Sequence, residues 1–235
     1  MTQIGSYEKA KRYFESSARL YDQDNRTFRG GPCITISRQT GSGSGKISSI
    51  IVEKLSREYT DKNYPWTVFD KNLIDEVIAA YNLPPKLKEY LQEKTFPALQ
   101  TMMNEMFGLH PSLVELKHKT SECIMHIAQI GYCIIIGRGA NYVTSHLKNS
   151  MSIRLIAPLE KRIKHFMDNY GYDHKQAAEI IRQSDAEKKK YFQTYFNKDS
   201  EDPIFYDLTI NTGKLNYEES ADQIIAFIKH RFKDL

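Results

Sequence analysis

Residues 33–49 read Cys33-Ile34-Thr35-Ile36-Ser37-Arg38-Gln39-Thr40-Gly41-Ser42-Gly43-Ser44-Gly45-Lys46-Ile47-Ser48-Ser49. An apolar run of strand length feeds a glycine-rich loop. The loop ends in Gly45-Lys46, and Ile50, Ile51, Val52 and Leu55 follow at helical spacing. Strand, glycine loop, lysine and helix in that order have the form of a phosphate-binding loop. Alternating glycines let successive backbone N–H groups turn inward, and the helix adds the positive end of its dipole at the same point. Thr40, Gly41, Ser42, Gly43, Ser44, Gly45 and Lys46 are therefore expected to enclose a di- or triphosphate, with Lys46 as a point charge on its outer phosphates. The strict pattern G-x-x-x-x-G-K-[ST] has glycine where this chain has Thr40 and a hydroxyl where it has Ile47. Ser48 is the nearest substitute and the expected Mg²⁺ ligand.

Working outward, 235 residues suffice for one substantial domain with an added helical part, without disulfides or metal to support the core. Cys33, Cys123 and Cys133 are odd in number and lack C-x-x-C spacing, which argues for buried thiols in a reducing compartment. The 33 basic and 29 acidic residues are interspersed, so the net charge of +4 suits phosphate handling and gives no stripe for nucleic acid. The 15 tyrosines form no stripe either. The chain has no run of 18 apolar residues, and its first residues lack the apolar core of a signal peptide. The expectation is a cytoplasmic protein with no membrane partner. The seven histidines show no metal-ligand spacing, and there is no G-x-S-x-G elbow.

Strand-length apolar runs at 33–37, 66–70, 132–136, 151–156 and 206–211 alternate with helical patterns at 48–58, 72–81, 158–170, 173–196 and 217–232, and residues 86–130 read as broken helix. Five short strands separated by helices predict an α/β fold, a five-stranded parallel sheet with helices on both faces. Residues 1–31 read as a partly helical extension that packs either on the domain at 32–235 or on a second copy, a homodimer.

Ligands of such sheets bind beyond the carboxyl ends of the strands. Arg38 follows the first run, Asp70-Lys71 the second, and Gly137-Arg138-Gly139 the third. Arg38 and Arg138 offer planar forks for phosphate. Asp70 reads equally as a group that orients a nucleoside or assists a metal and as the cap of the next helix. Arg182, Asp185, Lys188, Lys189 and Lys190 lie in the second long helical pattern. A charge run is commonly a solvated face, but phosphoryl transfer needs mobile positive charge that closes over the site, and this segment fits that need best.

Ile36-Ser37-Arg38-Gln39 with Gly41-Ser42-Gly43, Phe69-Asp70-Lys71, residues 134–141 (IIIGRGAN), residues 154–163 (RLIAPLEKRI) and residues 206–212 (YDLTINT) together resemble the cytidylate kinase-like family of P-loop proteins. The resemblance spans about residues 33–230. It implies a P-loop NTPase fold of the nucleoside monophosphate kinase type, with a helical substrate-binding insertion at 71–130 and a lid at 171–200. It also implies ATP and Mg²⁺ as cofactors, nucleotide substrates, and cytidine monophosphate (CMP) as the default acceptor. Lys46 would hold the β- and γ-phosphates, Arg138 the acceptor's phosphate with Arg38 and Asp70 beside it, and Arg182, Asp185 and Lys188 would complete the catalytic set. Cytidylate kinases carry D-G-R-D at the end of the third strand; this chain keeps Arg138 and has neither acid. That departure and Ile47 leave a second reading open, a nucleotide-binding regulatory protein without turnover.

Overall fold

The computed structural model describes residue 13 and residues 30–58, 66–72 and 113–233. Five strands form one parallel sheet in the order β2-β3-β1-β4-β5: β1 (Cys33–Arg38), β2 (Thr67–Phe69), β3 (Cys133–Ile136), β4 (Ser150–Ile156) and β5 (Leu208–Asn211). Helices α1 (Ser44–Glu58), α2 (Leu113–Ile130), α3 (Ala140–Val143), α4 (Leu159–Tyr170), α5 (His174–Phe196) and α6 (Tyr217–Arg231) connect or follow them. Sequence order changes direction at β1, so the loop after β1 opens at the topological switch point.

Because side chains alternate across a strand, each central strand serves two cores. Ile34, Ile36, Ile134, Ile136, Ile153 and Leu155 face one side, against Ile47, Ile51 and Leu55 of α1 and Ile224 and Ile228 of α6. Cys33, Cys133, Ile135 and Phe69 face the other, against Ile124 and Ile127 of α2. Two-sided burial is why these strands read as continuous apolar runs. The helix α2 closes the segment expected to be an insertion, yet its Ile124, Ile127 and Ala128 are core residues, so this part is a crossover helix of the sheet itself. The rest of that segment, including the helix expected at 72–81 beyond its first residue, lies outside the described residues.

Tyr13, the described residue of the N-terminal extension, is buried beside Phe69 with its hydroxyl 2.6 Å from the Gly131 carbonyl. Burial, with the thiols of Cys133 and Cys33 nearby, raises its pKa well above the ordinary phenol value. All three cysteines are free, as expected from their spacing. Among the described residues no helix is long and apolar enough to cross a membrane.

Helices α4 and α5 form a hairpin. Gly171 ends α4 in the left-handed region at φ 70°, and Asp173 with Gln176 makes a reciprocal capping box that starts α5. Ile163 packs on Ala177 and Ile181 to hold the pair together. This hairpin carries α5 back across the carboxyl ends of β1 and β3.

Candidate functional site

The loop between β1 and α1 is short and tightly fixed. Gly41 and Gly43 take φ values of 83° and 86°, which only glycine adopts without strain. Their open sides are occupied: a Cβ on Gly43 would meet the Tyr217 ring at 2.3 Å. Gln39 N–H donates to the Leu155 carbonyl at 3.0 Å, its side-chain oxygen accepts from Ala157 N–H at 2.9 Å, and Ser42 folds back onto the Gln39 carbonyl. The helix begins at Ser44, and Ile47 N–H closes its first turn on the Gly43 carbonyl at 3.0 Å. The amides of residues 43–46 have no acceptor among the described residues, as expected at a helix start. Gly43, Ser44, Gly45 and Lys46 line a cavity of about 540 Å³, whose other walls include His165, Phe166, Asn169 and Tyr170 of α4 and Ser184 and Lys188 of α5.

This register corrects one expectation. Gly45 lies inside the helix rather than in the loop, and Lys46 stands exposed in the first turn of α1, still on the wall of the loop cavity. Ser48 faces inward: it is fully buried, and its hydroxyl has no hydrogen-bond partner among the described residues. At the start of the helix the hydroxyl-bearing residue on the cavity wall is Ser44.

Across the loop mouth, α5 presents Asp185 and Lys188. The carboxylate of Asp185 accepts the Thr40 backbone N–H at 2.8 Å and the Thr40 hydroxyl at 2.7 Å, and it pairs with the guanidinium of Arg162 at 2.6 Å. Arg162 also donates to the carbonyls of Ala157 and Thr40. Burial pushes the Asp185 carboxyl upward, but the hydrogen bonds from Thr40, the charge of Lys188 and the bond from Arg162 outweigh it, and the net shift is downward. Lys188 donates to the Thr40 hydroxyl and to Asp185. Burial lowers its pKa to about 8; Asp185 opposes that shift, and Arg38 and Arg162 add to it.

Beyond β3 the chain makes three left-handed residues in succession, Gly137 (φ 82°), Arg138 (φ 54°) and Gly139 (φ 70°). A non-glycine residue in this region is strained and has to be held by its surroundings. The reason for glycine on either side is contact. A Cβ on Gly137 would lie 2.0 Å from Arg38 Nη1, and one on Gly139 would lie 2.2 Å from the Phe196 ring. The guanidinium of Arg38 therefore rests against bare backbone. Burial lowers its pKa, with Asp70 opposing and the neighbouring Arg138 adding to the effect.

Arg38, Arg138, Lys71, Arg154, Lys188 and Lys189 are the basic walls of a second cavity of about 470 Å³, which also takes in Tyr191 and Phe192. Asp185, Glu187 and Glu201 are its acidic walls. Arg38, Gln39, Ser184 and Lys188 line both cavities, so the two meet there.

The fold thus brings Arg38, Thr40, Arg138, Asp185 and Lys188 together. Asp70 lies exposed just before the helical turn at 71–72, within electrostatic reach of Arg38, and it is not on the wall of either cavity. Arg182 is not brought to either cavity; its exposed side chain makes a two-point pair with Glu179 on the solvent face of α5. Lys190 is likewise exposed. Two arginines at the site were not read from the sequence as site residues, Arg154 and Arg162. Each had a signal. Arg162 stands on the same helical face as Leu159, Ile163 and Phe166, and Arg154 interrupts a strand whose other face is Met151, Ile153 and Leu155.

A parallel sheet ordered 2-3-1-4-5, a glycine loop at its switch point and a helical hairpin folded over that loop define a phosphate-loop protein of the nucleoside monophosphate kinase type. Residues 33–214 match the model of the cytidylate kinase-like family. A cytidylate kinase of Sulfolobus acidocaldarius is 25% identical over 198 residues, which are 84% of this chain and 94% of that protein. A uronate isomerase of Corynebacterium glutamicum is 28% identical over 92 residues, 39% of this chain and only 18% of that protein's length. Among solved structures, an uncharacterized protein from Eubacterium ventriosum superposes with a TM-score of 0.61 at 23% identity, covering 85% of this chain and 98% of its own. The chain belongs to the cytidylate kinase-like family.

Proposed function

We propose that this protein transfers the γ-phosphoryl group of ATP to a small acceptor, with CMP the first acceptor to test. One observation carries the reading: the glycine-loop cavity and the cationic cavity share Arg38 and Lys188, so a donor in one and an acceptor in the other would meet between those two cations. Phosphoryl transfer of this kind depends on positioning and charge neutralisation rather than covalent chemistry. The free amides at the start of α1 would cradle the polyphosphate, with Lys46 and Lys188 beside it as point charges. Arg138 and Arg38 would hold the acceptor in line. Asp185 orients Lys188 and Arg162 over Thr40.

Mg²⁺ fits this arrangement if Ser44 and the nucleotide's own oxygens hold it, because the Ser48 hydroxyl is enclosed. When bound, the ion would neutralise charge on the donor phosphates. The family description and the relative from Sulfolobus acidocaldarius support CMP.

A regulatory nucleotide binder is the second reading. It is favoured by the fully buried Ile47 where a metal-binding hydroxyl is usual. Calorimetry with ATP and Mg²⁺, followed by ADP release over a panel of nucleoside monophosphates, separates the two. Release stimulated by one acceptor supports the kinase; binding without release for every acceptor supports the regulator.

A further inference from the structure

We propose that Arg154 is an oxyanion subsite in the wall of the cationic cavity, and that the acceptor carries a phosphate or carboxylate that lies against it. This inference rests on the phosphoryl-transfer reading of that cavity.

Arg154 is the most buried of the six basic walls, with 9% of its side chain exposed. Its fork has neutral partners: Nη1 donates to Ser37 Oγ at 3.2 Å and to Tyr206 OH at 3.4 Å, and the guanidinium carbon lies 5.4 Å from the centre of the Tyr206 ring. The Tyr206 hydroxyl in turn donates to the Ser200 carbonyl at 2.6 Å, leaving its lone pairs toward Arg154. The nearest carboxylate is Glu201, 3.8 Å from Nη2, half-exposed and shared with Lys189 at 3.3 Å.

A buried guanidinium whose carboxylate partner stands 3.8 Å away, half-exposed and shared, is costly, and a neutral side chain would serve a hydroxyl network as well. The cost is offset when a ligand anion enters, and bidentate capture of an oxyanion is what the planar fork does best. The surroundings agree, since six basic walls face three acidic ones. Position agrees too. Arg154 sits opposite Ser37 in the register of β1 and β4, with β5 on its other side, so the fork is fixed before any ligand arrives. Neutral acceptors such as nucleosides and uncharged sugars would leave this cation with Glu201 alone, at 3.8 Å and shared with Lys189.

The test is calorimetry on the full chain with the loop cavity filled by excess ADP, titrating inorganic phosphate, CMP, cytidine and gluconate. Phosphate and CMP are expected to bind and cytidine not to, and gluconate tests whether a carboxylate serves in place of phosphate. Arg154→Met is expected to weaken CMP binding at least tenfold while ATP affinity, measured separately, changes less than twofold. Arg154→Lys keeps the charge without the fork and should weaken CMP severalfold; it decides the matter if the methionine variant fails to fold. In turnover, the acceptor KM should rise more than kcat falls. Unchanged CMP affinity in either folded variant, or cytidine binding as tightly as CMP, overturns the proposal. ADP release that fails with every acceptor, while these binding results hold, sinks phosphoryl transfer and leaves the Arg154 subsite standing.

Discussion

The carboxylate of Asp185 accepts the backbone N–H of Thr40 at 2.8 Å, so α5 and the glycine loop, 145 residues apart in sequence, are joined by one side chain. The same carboxylate holds Arg162 and steadies Lys188. Hydrogen bonds to a charged group contribute about 1.5–3 kcal/mol each, and breaking one partner strands the others.

Asp185→Asn should therefore loosen α5 from the loop and lower stability by about 1–3 kcal/mol. The pH dependence follows from the lowered carboxyl pKa. A depressed acid contributes stability above the unfolded aspartate value of about 3.9, and loses it as pH falls through the folded value. Melting curves from pH 6 down to pH 2 should show the wild type converging on the Asn variant. A constant gap across that range would contradict the assignment.

Lys188 supplies a second pH signature, read in turnover on the alkaline side. Its folded pKa of about 8 means that the charged form exists below that pH and is lost above it. Turnover in kcat/KM for ATP should fall as pH rises through about 8, and Lys188→Arg, which stays charged, should move that limb beyond pH 10. Unfolded lysine titrates near about 10.4, so between the two values the unfolded chain binds more protons and this group makes stability rise with pH. A pH–rate profile that is identical in the arginine variant would remove Lys188 from the site.

Three lysine and arginine substitutions rank the charges. Lys188→Ala, which removes a cation at the junction of both cavities, should cost about 100- to 1000-fold in kcat. Lys46→Ala, exposed on the first turn of α1, should cost about tenfold in kcat/KM for ATP. Arg182→Ala should leave turnover and melting temperature unchanged, because its partner is an exposed glutamate one turn away and such pairs contribute little. A large loss in the Arg182 variant would restore the role that its place in the sequence suggested.

Why the sequence placed some of these groups and not others is a matter of range. The strands were legible because burial on both faces writes itself as an apolar run, and observed β3 at Cys133–Ile136 begins one residue after the run at 132–136. The loop was legible as a loop, but its register was not. Gly45-Lys46 fits the motif in letters, whereas the last left-handed glycine of the loop is Gly43, where Tyr217 from the far end of the chain fills the space a Cβ would need. Asp185 and Lys188 could be picked from a charge run; that Arg182 faces solvent depends on the rotation of α5, which Ala177, Ile181 and Phe192 set by burial. Arg154 and Arg162 belong to elements read for their apolar residues, and the pairing of β1 with β4 that gives Arg154 its neighbours is not a local property.

The contact between Gly137 and Arg38 gives the sharpest separation of geometry from stability. Gly137→Ala faces two penalties: a left-handed φ of 82° and a Cβ 2.0 Å from Arg38 Nη1. Gly171→Ala faces only the first, since its φ is 70° and nothing lies within 4 Å of the added carbon. The backbone penalty in each is about 1–2 kcal/mol, so both variants should melt lower than the wild type. Only Gly137→Ala should displace the Arg38 guanidinium, and because Arg38 lines both cavities, the KM values for ATP and for the acceptor should rise together while Gly171→Ala retains wild-type kinetics. Equal kinetics in the two variants, measured well below both melting temperatures, would mean that the placement of Arg38 against the Gly137 backbone has no part in substrate binding.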